Sequence, residues 1–232
     1  MPIKRFFQRT FSFSILIILF FSTYAGAASQ QGSVHPLSGR PYSGTMSVAG
    51  AAWLDRAERE DEEEPDKALE IIGIASGAAV ADIGAGSGYF TLRLSDLVGS
   101  TGHVYAVDIQ EGMLRIIQRK LERNRIGNVS LVLGSQGSPG LEKASLDLAL
   151  MVDVYHELAE PQMLLQQLYL ALKPGGRLVL LEYRAEDPAI PILPLHKMSV
   201  ADAKLEVEHE GFKLTTVNED LPSQHVLIFT KP

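Results

Sequence analysis

Five short apolar runs, VADIG, HVYAVDI, VSLVL, LDLALMV and RLVLLEY, recur between stretches of helical spacing such as YFTLRLSDLV, EGMLRIIQRKLERN and PQMLLQQLYLAL. The runs are β-branched or leucine-rich and lack polar alternation, the pattern of strands buried on both faces. This strand and helix repeat predicts an α/β fold with a parallel sheet between two helical layers. After the fifth run the pattern changes. VADAKLEVEHEG reads as a helix, and FKLTTVNED and HVLIFTK read as two strands with a short connection between them. So short a connection makes a hairpin, which belongs at the edge of the sheet.

A chain of 232 residues, 46% hydrophobic and 21% charged, has enough apolar material for one domain with a real core. The formal net charge of -7 argues against a nucleic-acid surface. The absence of cysteine excludes disulfides, thiolate zinc sites and cysteine nucleophiles.

Residues 1–27 hold Lys4, Arg5 and Arg9, then the apolar run FSFSILIILFFS and the small-residue pattern Ala25-Gly26-Ala27. A basic head, a short apolar run and a small-x-small site are the marks of a secretory signal peptide. Cleavage after Ala27 is therefore expected, with export to a periplasmic or extracellular space and no membrane span left in the mature chain. An uncleaved N-terminal anchor is the rival reading. Residues 28–52, rich in Ser, Gly and Pro, read as an extended arm or linker, and the folded domain as 53–232. Within WLDRAEREDEEEPDKALEIIGI, Pro65 is placed to begin a helix, and the acidic run from Glu58 to Asp66 reads as a solvated face.

The sharpest motif is VADIGAGSGYF, in which Gly84, Ala85, Gly86 and Gly88 form a turn between a buried strand and a helix. Glycines there let the backbone turn tightly and approach a ligand at the carboxyl end of the first strand. The spacing is GxGxG, so the third glycine of the dinucleotide pattern falls on Tyr89, and an acid, Asp82, sits inside the strand end. Both features disfavour a nicotinamide dinucleotide. The second apolar run ends in Asp108, whose carboxylate can accept both hydroxyls of a ribose, although an acid there could also cap a helix. Ile109 and Met113 offer apolar surface to an adenine ring.

The order VADIGAGSGYF, VYAVDIQEGML, LDLALMVDVYHEL and LKPGGRLVLLEYR resembles the class I S-adenosylmethionine-dependent methyltransferases, and more loosely the branch that methylates small molecules such as quinone precursors. The resemblance spans roughly Ala68 to Pro232. It implies a Rossmann-like, doubly wound sheet of seven strands with the C-terminal strand antiparallel, and S-adenosyl-L-methionine as cofactor. It also implies Asp82 near the methionine amino group, Asp108 on the ribose, and Asp153 among the cofactor residues. The family's acid after the third strand is missing here, and LVLGSQGS offers Ser135 or Gln136 for the adenine instead.

On the acceptor side the fourth run leads into Asp153-Val154-Tyr155-His156-Glu157-Leu158 and the fifth ends in Glu182-Tyr183-Arg184. His156, Tyr155 and Glu182 are the catalytic candidates. A histidine can take a proton from an acceptor hydroxyl, or it can merely shape the pocket. A metal site formed by His156, Glu157, Glu182 and His196 is set aside, because those residues lie on separate elements without short ligand spacing. His103, His209 and His225 read as structural. Pro188, Pro191 and Pro194 stiffen a segment that reads equally as a lid or a covering loop. The expectation is a methyltransferase for a small-molecule acceptor; a protein that binds the cofactor without transfer would have much the same sequence.

Overall fold

The computed structural model of the protein describes residues 34–232, so the expected signal peptide lies outside the described residues. The chain opens with three short helices, α1 (Ala51–Leu54), α2 (Arg59–Glu63) and α3 (Pro65–Ile72), the last with Pro65 in its first turn as expected. Alternation follows: β1 (Ala79–Ile83), α4 (Tyr89–Val98), β2 (His103–Asp108), α5 (Glu111–Asn124), β3 (Val129–Leu133) and β4 (Leu146–Val152). Then come α6 (Pro161–Ala171), β5 (Leu172–Arg184), β6 (Lys197–Met198), α7 (Val200–His209), β7 (Lys213–Asn218) and β8 (Gln224–Thr230).

The sheet order is β3-β2-β1-β4-β5-β8-β7, with β8 antiparallel to both of its neighbours. This is the expected doubly wound sheet of seven strands. Two details differ from the sequence reading. The two-residue β6 adds an eighth strand against the end of β5, and β5 begins at Leu172, running through a Pro-Gly-Gly stretch that carries no strand signal.

Period-2 geometry divides the buried residues between the two faces. Ala81, Ala149 and Leu178 pack toward α6 and α7, while Val80, Leu148 and Val179 pack toward α3 and α4. The chain leaves β1 toward β2 and β3 on one side and returns to β4 on the other. That reversal opens a crevice at the carboxyl ends of β1 and β4, where open α/β sheets hold ligands.

Residues 34–50 dock on the domain as an arm. His35 is buried, Ser43 donates its amide to the His156 carbonyl at 3.1 Å, and Arg40 pairs with buried Glu206 of α7 at 2.8 Å. The arm thereby lies across the carboxyl end of the sheet and places Met46 on the crevice wall. Among the described residues no helix is long and apolar enough to cross a membrane.

Candidate functional site

The crevice is a cavity of about 560 Å³. Its floor is the turn after β1. Gly84 and Gly86 both have positive φ, 73° and 55°, which glycine adopts without penalty. The reason is partly internal: a Cβ at Gly84 would meet Val154 Cγ2 at 2.5 Å, and one at Gly86 would meet Leu54 Cδ1 at 2.8 Å. The glycines thus admit the protein's own side chains as well as a ligand.

Asp108 stands beside this turn at the end of β2. Its two carboxylate oxygens accept the amides of Gly86 at 2.9 Å and Gln110 at 2.8 Å. A carboxylate has about four acceptor positions, so capacity for two ligand hydroxyls remains on the cavity side. Burial raises its pKa above the ordinary carboxylate value. Ile109, Met113 and Gln136 also line the cavity, as does Asp153, whose carboxylate accepts the Gln224 amide at 2.8 Å. Burial, with Glu63 and Glu182 nearby, pushes the Asp153 pKa well up.

Three residues read as site residues lie behind the wall. Asp82 is buried and accepts the Thr91 hydroxyl at 2.6 Å; burial lifts its pKa to about 6. Ala85 packs on α5, and Gly88 starts α4.

At the other end of the cavity, His156 follows β4 on a single 3-10 turn, Tyr155–Glu157. Its Nδ1 lies 2.6 Å from Glu182 Oε2, while Glu182 Oε1 accepts the amides of Val154 and Tyr155 at 3.1 and 2.7 Å. Glu182 therefore fixes both the loop and the ring. With the Nδ1 proton directed at the carboxylate, Nε2 carries the lone pair at the cavity edge, where it meets His196 Nδ1 at 3.1 Å. Burial works against the charged ring, but Glu182 opposes it and leaves the His156 pKa above the usual histidine value.

Of the three catalytic candidates, only His156 reaches the cavity. Glu182 is fully buried and acts through His156. Tyr155 is a correction: its ring is wholly buried in the core and its hydroxyl has no hydrogen-bond partner among the described residues. The 3-10 turn that aims His156 outward turns its neighbour inward.

The fold also joins residues that the sequence leaves apart. His196, on the loop after β5, brings Nδ1 to 3.1 Å from His156 Nε2. Glu157 lies close to both, with the ligand atoms of all three within 4.8 Å of one another; Glu182 is not in that group. Burial raises the Glu157 pKa to about 7.

Arg59 is the residue the sequence reading missed. It lies in the acidic run taken as solvated, yet it is buried, lines the cavity and pairs with buried Glu63 at 2.6 Å. Glu63 also accepts the Tyr183 hydroxyl at 3.0 Å. The i,i+4 spacing of Arg59 and Glu63 is the available signal, but that spacing is common on exposed helices.

The glycine turn, the free acceptor capacity of Asp108, the apolar flank of Ile109 and Met113, and the guanidinium of Arg59 suit an adenosine attached to an amino acid. Comparisons with known proteins agree. Residues 74–221 match the model of a family described as a methyltransferase domain. A ubiquinone/menaquinone biosynthesis C-methyltransferase of Citrobacter koseri is 33% identical over 116 residues, 50% of this chain and 46% of that protein. A protein-L-isoaspartate O-methyltransferase of Methanothrix thermoacetophila is 33% identical over 111 residues, 48% of this chain and 50% of that protein. The chain spans about half the length of the curated relatives it matches. A solved SAM-dependent methyltransferase from Aquifex aeolicus superposes with a TM-score of 0.77 at 26% identity, over 81% of this chain and all of that one. With more than half of its length matched and the cofactor crevice in place, this chain belongs to the methyltransferase-domain family, and its cofactor is S-adenosylmethionine.

Proposed function

We propose that the chain methylates a small, largely apolar molecule carrying an acidic hydroxyl, or a ring carbon activated by one. The observation that carries this reading is one cavity wall holding Gly84, Gly86 and Asp108 at one end and the oriented His156 at the other. The loop after β5 adds Pro191, Ile192 and Leu193, and the arm adds Met46, so apolar walls flank the polar group of His156, Glu157 and His196. The ubiquinone/menaquinone biosynthesis named for the Citrobacter relative supports a phenolic or quinol acceptor. The isoaspartate acceptor named for the Methanothrix relative is the alternative that an acceptor panel tests.

S-adenosylmethionine, when bound, supplies a methyl group on a sulfonium. The chain's part is then placement and proton handling. Asp108 would hold the ribose and Arg59 the methionine carboxylate. His156 Nε2 takes the acceptor proton once the acceptor hydroxyl replaces His196 Nδ1 beside it, while Glu182 keeps the ring in the required tautomer. The test is incubation of purified protein with cofactor and a panel of phenols, quinols and isoaspartyl peptides, with S-adenosylhomocysteine as readout. Turnover with phenols or quinols is expected. Cofactor binding without turnover on any acceptor would replace this reading with that of a binding protein. Export, proposed from the N-terminal sequence, predicts a mature chain beginning at Ala28 in protein from its native source.

A further inference from the structure

We infer that His156, His196 and Glu157 form a binding site for a divalent transition-metal ion at the acceptor end of the cavity. The side chains come from two loops, after β4 and after β5, that the fold brings together over 40 residues of sequence. All three line the cavity.

The geometry is that of a ligand set. Imidazole nitrogens bound to one Zn²⁺ at ~2.0 to 2.1 Å in tetrahedral geometry lie about 3.3 Å apart. His156 Nε2 and His196 Nδ1 are 3.1 Å apart. The carboxylate of Glu157 stands within 4.8 Å of both, close enough to join by a small side-chain movement. A ligating histidine ordinarily gives its other ring N–H to a carboxylate, which fixes the ring and raises its basicity. Glu182 provides that at 2.6 Å, and it is itself anchored by two backbone amides.

Charge points the same way. Glu157 and Asp153 line the cavity with His156, Glu182 backs its ring, and the cavity's one lining cation among the described residues, Arg59, is paired with Glu63. Two imidazoles with one carboxylate favour zinc, iron or cobalt over magnesium, which prefers an all-oxygen shell. A fourth position would face the cavity, where an acceptor oxygen could enter. With an ion bound, His156 is a ligand and no longer the proton acceptor, so the two roles belong to different states of one side chain. The simpler alternative is a single hydrogen bond between the two imidazoles, which needs no ion and does not involve Glu157.

The site is independent of the methyl-transfer reading and is tested with the metals alone. Chelator-stripped protein should bind one equivalent of Zn²⁺ by calorimetry and no Mg²⁺ at the same concentration. Co²⁺ should give ligand-field absorption bands of a low-coordinate site. Both His196→Ala and Glu157→Gln leave the His156 and Glu182 pair in place, and each should weaken Zn²⁺ at least about tenfold. His103→Ala, which alters a histidine on β2 outside the cavity, should bind as wild type. Absence of stoichiometric Zn²⁺ binding by folded wild-type protein would overturn the inference, as would wild-type affinity in folded His196→Ala. Wild-type affinity in Glu157→Gln alone would reduce the site to the two histidines and overturn the three-ligand set.

Discussion

The two ends of the cavity are built in different ways. At the cofactor end, Gly84, Gly86, Asp108, Ile109 and Met113 fall within 30 residues of sequence, and the polar groups are satisfied by neighbouring backbone amides. At the acceptor end, His156, Glu182, His196 and Met46 come from four separate segments, and side chains satisfy one another across the fold. Backbone amides remain when side chains change, so the first end is a fixed frame. The second end exists only while distant loops and the docked arm hold their places, which leaves it free to diverge with the acceptor. Relatives equally similar to this chain accordingly carry names for quinone and isoaspartate chemistry.

The largest effect should come from the single side chain that the acceptor end is organised around. His156→Ala is expected to lower the methylation rate by roughly 10² to 10⁴, the span of general acid-base catalysis. Cofactor affinity should stay within about twofold, because no cofactor-end group bonds to His156. Stopped-assay rates and calorimetry on one preparation check both. A parallel loss of cofactor affinity would show that the two ends are one mechanical unit and break the comparison.

Asp82 sharpens the contrast from beneath the cofactor end. Its pKa of about 6 lies above the ordinary value of 3.8 because the carboxylate is buried. Below both values the group is protonated in folded and unfolded chains alike, and its contribution is complete. As the pH rises from about 4 through 6 the unfolded chain ionises first, so the folded state loses stability. The shift corresponds to about 3 kcal/mol at most. Asp82→Asn should therefore gain on wild type across that window in cofactor-free protein, measured by denaturant unfolding. Parallel pH profiles for the two proteins would remove the buried charge from the account.

Asp108→Ala removes a carboxylate that holds the Gly86 and Gln110 amides and faces the cavity. Cofactor affinity should fall at least roughly tenfold, about 1.4 kcal/mol, while the His156 environment is kept. Calorimetry showing unchanged affinity in a folded variant would take Asp108 out of the site.

How much of this was legible in the sequence follows the same division. The parallel sheet with its antiparallel C-terminal strand was readable from the repeat and the resemblance, and the glycine turn beside Asp108 because a GxGxG turn and an acid ending the next strand are local patterns with few alternatives. The acceptor end was readable only as a loop. Glu182 could be named from its place at the end of β5, but not its bond to His156, and His196 lay 40 residues from its partner. Arg59 was hidden because burial of an i,i+4 ion pair depends on what the helix packs against, which spacing does not report. Arm and linker could not be told apart in the sequence, because Arg40 meets its buried partner Glu206 only in the fold, 166 residues along the chain.

The smallest effect expected is at Tyr155, next to the residue where the largest is expected. Sequence position favours it as a catalytic group, since it precedes His156 on the loop after the fourth strand. Yet the ring is fully buried, the Arg40 guanidinium lies 5.1 Å from its centre, and the hydroxyl is without a partner among the described residues. The hydroxyl lies beside Glu206 and Arg40 without a well-formed bond to either, so its removal gives up little. Tyr155→Phe keeps the ring, the backbone bond to Glu182 and the contact with Arg40 while removing only that hydroxyl. Stability should change by less than about 1 kcal/mol or rise, and the methylation rate should stay within about twofold. A rate loss of tenfold or more in the folded variant would return Tyr155 to the reacting groups and mean that the acceptor pocket extends behind the 3-10 turn.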